Sequence, residues 1–164
     1  MNKYLLFVSY GSITEKHIKI VLNNFSKYKI ILYRSGKGRK KIDINFHTII
    51  NSMKRTLDYK YEAVFICSPA VNHIKEINFF SKFNKKIFVE KPLTNLKLNN
   101  KIINLLNTQN FIFQIGYVLK FEESLIYFRK LIKKNFVGKI LKVNINASSY
   151  LPNWRKTKYT QSVS

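Results

Sequence analysis

The chain is poor in acid, cysteine and long apolar runs. Each shortage closes off a class of function. Cys67 is the only cysteine among 164 residues, so no intramolecular disulfide and no multi-cysteine metal site can form. A reducing, cytoplasmic setting fits that usage. With only 8 Asp and Glu, paired-carboxylate chemistry and carboxylate-rich metal centres are disfavoured, and no metal site is expected. No apolar stretch reaches the roughly 18–20 residues that a membrane-spanning helix needs, so no membrane partner is expected. The run Tyr4 to Val8 after Lys3 imitates the start of a secretion signal. It breaks at Ser9 and Gly11, meets charge at Glu15 and Lys16, and lacks a small-residue cleavage site.

What the chain has in excess is positive charge, formally +22 with a pI near 10.1. Such a balance ordinarily points to nucleic acid or an anionic surface. Its distribution argues otherwise. There are 25 Lys against 5 Arg, with 18 Asn and 21 Ile but 3 Ala, a bias that AT-rich codons produce. The cations are scattered over every predicted helix, and the densest run is only Arg39 to Lys41. The aromatics fall in predicted strands and core-facing helix positions, whereas base stacking needs them exposed between cations. No specific nucleic-acid partner is expected.

At 46% hydrophobic content, the length suits one compact domain with a partial second. Apolar periodicity alternates between strand and helix patterns, the signature of βαβ units and a parallel sheet. Tyr4 to Val8 reads as a strand buried on both faces. Ile18, Val21, Leu22 and Phe25 then fall on one helical face. Lys29 to Tyr33 is a second strand, and a strand and helix are expected within Ile42 to Leu57. Ala63 to Cys67 reads as a buried strand, followed by a helix with Ile74, Ile77 and Phe80 inward. Lys86 to Val89 is the next strand. Leu98, Ile102 and Leu105 mark a helix capped by Thr94 or Asn95, and Phe111 to Ile115 closes the series. From Phe121 a long amphipathic helix carries Leu125, Phe128 and Ile132 and ends before Gly138. Leu141, Val143 and Ile145 then alternate with polar residues as in a strand with one wet face. The expected fold is α/β, a Rossmann-type doubly wound parallel sheet over residues 1–118. The first helix and strand of a truncated α+β domain follow over 119–164.

Four segments could carry chemistry. Ser9-Tyr10-Gly11-Ser12-Ile13-Thr14 sits where a strand gives way to a helix, the place where a Rossmann unit presents backbone N–H groups to a pyrophosphate. Of the three glycines of G-x-G-x-x-G only the middle one is present, as Gly11. At the end of the second strand, where Asp or Glu would hold the ribose of NAD, the chain has Tyr33, Arg34 and Ser35. An Arg beside a hydroxyl can receive a 2′-phosphate, which tilts the cofactor from NAD toward NADP. Glu90-Lys91-Pro92 follows the fifth strand of the series at the carboxyl end of the sheet, where Lys91 can stabilise charge on a substrate oxygen. Pro69 to His73 lies on the same rim, although a lone histidine in a first helical turn is more often structural.

Taken together, these segments resemble the Gfo/Idh/MocA family of NAD(P)-dependent oxidoreductases. Gly11-Ser12-Ile13 with His17 is similar to that family's first turn, and Ile66-Cys67-Ser68-Pro69 with His73 is similar to its strand followed by P-x-x-x-H. Val89-Glu90-Lys91-Pro92-Leu93 matches its E-K-P signature, and Gly116-Tyr117 with Lys120-Phe121 looks like its crossover. Gly138-Lys139-Ile140 and Tyr150 to Arg155 resemble members linked to surface-polysaccharide sugars. The departures are Ser9 and Thr14 for glycines, Val118 for Asn and Lys120 for Arg.

The resemblance implies hydride transfer between a nicotinamide and a carbon bearing a hydroxyl or carbonyl on a sugar or cyclitol. Lys91 is then the catalytic residue. Gly11, Ser12, Ile13, Arg34, Ser68, Pro69, His73, Glu90 and Pro92 surround NAD or NADP, and Tyr117 and Trp154 lie toward the substrate. Full-length relatives are expected to be homo-oligomers with a larger second domain, so the chain is expected to be a truncated portion inactive by itself. Two other readings stay open: a non-catalytic dinucleotide- or partner-binding remnant of the same fold, and a basic nucleic-acid-binding protein.

Overall fold

The computed structural model describes residues 3–36, 41–84, 86–95, 97–98, 100–107 and 112–148. They fall into two compact units that divide between Gly116 and Tyr117, two residues before the expected boundary.

Among the described residues, the first unit is built on six strands: β1 (Lys3–Val8), β2 (Tyr28–Tyr33), β3 (Thr48–Ile50), β4 (Tyr61–Ile66), β5 (Lys86–Val89) and β6 (Ile112–Ile115). Every pairing is parallel, in the order β3-β2-β1-β4-β5-β6. The chain thus works outward from β1 to one edge, returns, and works outward to the other, which leaves a crevice at the carboxyl ends of β1 and β4.

The buried centre of the sheet explains its sequence. Leu6 and Val8 of β1 join Val64, Ile66, Ile87 and Val89 on one face, with Ile77 and Phe80 of α2 (Ala70–Phe80) over them. Leu5 and Phe7 join Ile30 and Leu32 on the other, under Ile18 and Val21 of α1 (Ser12–Asn24). A strand covered on both faces has no polar side to alternate with, so β1 reads as a continuous apolar run.

Several expected elements differ. The inner face of α1 is Thr14, Ile18 and Val21, while Leu22 and Phe25 are exposed, because the stripe needed to cover β1 and β2 is narrower than the apolar pattern offered. Between β2 and β4 the described residues form β3 and a single 3-10 turn, Lys54–Asp58, and no α-helix. The helix expected from Thr94 or Asn95 starts later, as α3 (Asn100–Leu106), and Leu98 packs on the core ahead of it.

In the second unit a 3-10 turn, Val118–Phe121, precedes α4 (Glu123–Lys133). Glu122 caps α4 by accepting from the Leu125 N–H at 2.9 Å, so Phe121 lies outside the helix expected to begin with it. Residues 139–148 form no strand: strand geometry needs a hydrogen-bonding neighbour, and none pairs with Leu141 to Ile145 among the described residues.

Candidate functional site

The parallel ladder runs one residue past β1, β2, β4, β5 and β6, and those extra bonds place the functional residues on one rim. Ser9 N–H donates to Tyr33 O (2.8 Å), Arg34 N–H to Ile50 O (2.9 Å), Cys67 N–H to Val8 O (3.1 Å), Glu90 N–H to Ile66 O (2.8 Å), and Gly116 N–H to Val89 O (2.8 Å). The turn after β1, the end of β2, the Ser68-Pro69 corner and the Glu90-Lys91-Pro92 segment therefore share the carboxyl edge of the sheet.

The turn after β1 keeps the shape that its missing glycines would have given. Ser9 has φ 74°, the left-handed region that glycine enters freely and other residues enter at a cost. Ser9→Gly is accordingly expected to raise stability by about 1 kcal/mol, less glycine's own entropy cost, read as a later urea-unfolding midpoint. An unchanged or earlier midpoint would count against strain at this turn. Thr14, fully buried, stands where a glycine would allow close helix–strand packing. Its hydroxyl accepts from the Gly11 N–H at 3.3 Å, so the side chain is absorbed as a helix cap. Gly11 itself has nothing within 4 Å of the position a Cβ would take. Ser12 and Ile13 are exposed in the first turn of α1, where helix geometry leaves N–H groups without an intrahelical partner.

A cavity of about 440 Å³ opens beside this turn. Its walls come from Ser9 and Tyr10 after β1, Tyr33, Arg34 and Ser35 at the end of β2, Met53, the Ser68-Pro69 corner, and Asn72, Lys75 and Glu76 of α2. No carboxylate stands at the end of β2. One enters from α2 instead: Glu76, 6% exposed, accepts from Ser68 Oγ at 2.5 Å. Burial pushes its carboxyl up to about 7, against the opposing pull of the Ser68 hydrogen bond and the Lys75 charge. Burial, and then the nearby charge of Glu76, raise the Tyr33 hydroxyl as well.

The Glu90-Lys91-Pro92 segment is held by its first residue. His17 Nε2 donates to Glu90 Oε1 at 2.7 Å, and the other oxygen of Glu90 accepts from the Lys91 N–H at 3.1 Å. Gly116 packs closely beside them, and a Cβ there would lie 3.0 Å from Phe88 Cζ and 3.2 Å from Glu90 Oε1, pressing on the Glu90 carboxylate. Anchored this way, Lys91 is exposed at the rim, and its ammonium has no partner among the described residues. Pro92 follows through a cis peptide bond.

His73 is 1% exposed. Its Nε2 lies 2.7 Å from the Ser68 carbonyl, and its Nδ1 lies 3.0 and 3.2 Å from those of Pro92 and Leu93. It ties the Ser68-Pro69 corner to the Lys91 segment. Cys67 offers no nucleophile, because burial, followed by the Glu90 charge, pushes its thiol up to about 12 despite a hydrogen bond with Thr14.

Of the residues singled out from sequence, the structure gathers Gly11, Ser12, Ile13, Arg34, Ser68, Pro69, Glu90, Lys91 and Pro92 on the carboxyl edge of the sheet, with His73 beneath. Tyr117 opens the second unit, exposed, and Trp154 lies outside the described residues. Sequence reasoning passed over Glu76 and the His17–Glu90 pair. Glu76 was within reach, since it falls three residues after His73 and four before Phe80, on the buried face of α2. The His17–Glu90 pair joins residues 73 apart, which no local pattern reveals.

The donor set fits a dinucleotide. The space over Gly11 is open beside the α1 N-terminus, where a diphosphate would meet free N–H groups, and Arg34 and Glu76 line a cavity at the end of β2 where a ribose would lie. No group of three or more potential metal-ligating His, Cys, Asp or Glu side chains occurs among the described residues. No described helix is long and apolar enough to cross a membrane.

Comparison with known proteins agrees with this geometry. Residues 4–117 match a family model described as the oxidoreductase family with an NAD-binding Rossmann fold. Among solved structures, myo-inositol 2-dehydrogenase from Lactobacillus plantarum superposes with a TM-score of 0.69 at 22% identity, over 85% of this chain and 43% of that one. Scyllo-inositol dehydrogenase from Lactobacillus casei, with NAD(H) and scyllo-inositol bound, gives 0.66 at 20% identity, over 85% and 43%. Myo-inositol dehydrogenase from the same organism, with NAD(H) and myo-inositol, gives 0.67 at 18%, over 84% and 43%. At these identities the likeness is one of fold, and the chain spans less than half the length of each of these structures. No curated protein matches the sequence.

Proposed function

The chain belongs to the Gfo/Idh/MocA oxidoreductase family through its NAD-binding Rossmann domain, and on that premise we propose that it binds NAD(P) at the carboxyl edge of its sheet as the nucleotide-binding portion of a sugar or cyclitol dehydrogenase. The observation that carries the reading is the turn after β1. Ser9 holds the left-handed conformation, Gly11 leaves its approach open, and the cavity beside them reaches the end of β2.

In this reading the N–H groups of the first α1 turn face the diphosphate, and the helix dipole adds to their attraction. Arg34, with Ser35, supplies a cation and a hydroxyl at the ribose end, which favours NADP. When bound, the nicotinamide exchanges a hydride with a carbon of the substrate. The chain's own part is to place Lys91. Glu90, fixed by His17 and by the close approach of Gly116, sets the backbone from which Lys91 projects. Its ammonium can donate to a substrate hydroxyl or carbonyl oxygen and stabilise negative charge developing there.

The test is a titration of the chain with NADH and NADPH, followed by nicotinamide fluorescence at low and high salt. Saturable binding that survives added salt is expected. Binding that falls steeply with salt, without preference for a dinucleotide over other polyanions, would instead mark attraction to a basic surface.

A further inference from the structure

Sites for NAD usually place a carboxylate at the end of the second strand, where it accepts from the ribose hydroxyls. Here that position holds Tyr33, Arg34 and Ser35, and the carboxyl that reaches the same cavity comes from α2. Ser68 Oγ donates to one oxygen of Glu76, and the other has no partner among the described residues. A buried carboxyl with one oxygen anchored and one uncommitted, in a cavity that Arg34 and Lys75 also line, can act in two ways. Neutral, it donates a hydrogen bond; ionised, it only accepts.

We propose that Glu76 sets the ribose selectivity of the dinucleotide site, its neutral carboxyl donating to a 2′-phosphate and its carboxylate accepting from a 2′-hydroxyl. The inference rests on the dinucleotide reading above. Several groups face or neighbour Glu76. Ser68 and Cys67 come from the end of β4, Tyr33 and Arg34 from the end of β2, and Lys75 from α2 itself. The Tyr33 hydroxyl and the Cys67 thiol are both pushed up by burial, Ser68 does not titrate, and the Glu76 carboxyl is the group of this set that burial brings into the neutral range. Below about 7 the cavity presents two cations and a donor, which suits a phosphate. Above it an anion faces the phosphate, and a hydroxyl is preferred. The 2′-phosphate gains charge over part of the same range, near pH 6, which strengthens its pairing with Arg34 and works in the opposite direction. A decline in NADPH preference with rising pH is therefore assignable to the protein.

The experiment measures Kd for NADH and for NADPH across neutral pH, in the wild-type chain and in Glu76→Gln. In wild type, the ratio of the NADPH Kd to the NADH Kd should rise about tenfold between about pH 6 and about pH 8.5. In Glu76→Gln it should stay flat or fall. A pH-independent ratio in wild type, or the same rise in both proteins, would overturn the role of Glu76 and leave the dinucleotide site standing. Failure of wild type to bind either dinucleotide would overturn the site itself, and this proposal with it.

Discussion

Glu76→Gln is expected to be more stable than the wild-type chain at pH 8 by about 2 kcal/mol, and the gain should vanish near pH 4. Glu76 is buried against Ser68, and burial raises its carboxyl from an ordinary 4.5 to about 7 in the folded chain. The folded state thus binds the proton more tightly than the unfolded state. Stability linked to this group is complete below the unfolded value and is lost as pH rises through the folded one. The window runs from 4.5 to about 7, and a shift of that size corresponds to about 3 kcal/mol. Glutamine keeps an acceptor for the Ser68 hydroxyl and never ionises, so the variant avoids most of that loss. Urea unfolding of both proteins at several pH values gives the difference directly. A difference independent of pH would mean that the carboxyl is solvated in the folded state.

Gly11→Val is expected to weaken dinucleotide binding by about a hundredfold, close to 3 kcal/mol, while the chain stays folded. Gly11 has φ −144°, extended backbone that any residue adopts, and a Cβ there meets nothing within 4 Å. The protein therefore tolerates the side chain at little more than the cost of a poorer helix cap. The isopropyl group instead occupies the space through which a diphosphate approaches the first turn of α1. Titration with NADH, alongside unfolding curves for the variant, separates loss of binding from loss of fold. Undiminished affinity would place the cofactor elsewhere.

How far the sequence could be read depended on whether the deciding interaction was local. β1 is buried on both faces, and β4 and β5 are buried on one face with Phe65 and Phe88 half-buried on the other, so Leu5 to Val8, Val64 to Ile66 and Ile87 to Val89 had to be apolar and were legible as strands. The strand expected within Ile42 to Leu57 is β3, but it is only three residues long and held by its pairing to β2, so its presence was legible and its bounds were not. Leu22 and Phe25 continue the apolar stripe of α1 yet stay exposed, because the width of a helix's buried face is set by the strands beneath it. The alternation at Leu141 to Ile145 describes a strand only when a neighbour pairs with it. At the site, the missing glycines were visible as a departure, but not the means of accommodating them. Ser9 takes the left-handed backbone, and the Thr14 hydroxyl satisfies the Gly11 N–H. The clamp of His17 on Glu90 and the entry of Glu76 from α2 depend on tertiary approach, and only the fold brings them together.

The central claim is that a dinucleotide sits on the turn after β1 and reaches the end of β2. Repeating the NADH titration with backbone amide resonances followed residue by residue tests it most directly. Saturable shifts are expected at Gly11, Ser12 and Ile13, and at Arg34, Ser35 and Ser68, with little change at lysines distant from this edge. Shifts spread over the lysine-bearing surface, with the Gly11 turn unmoved, would contradict the account.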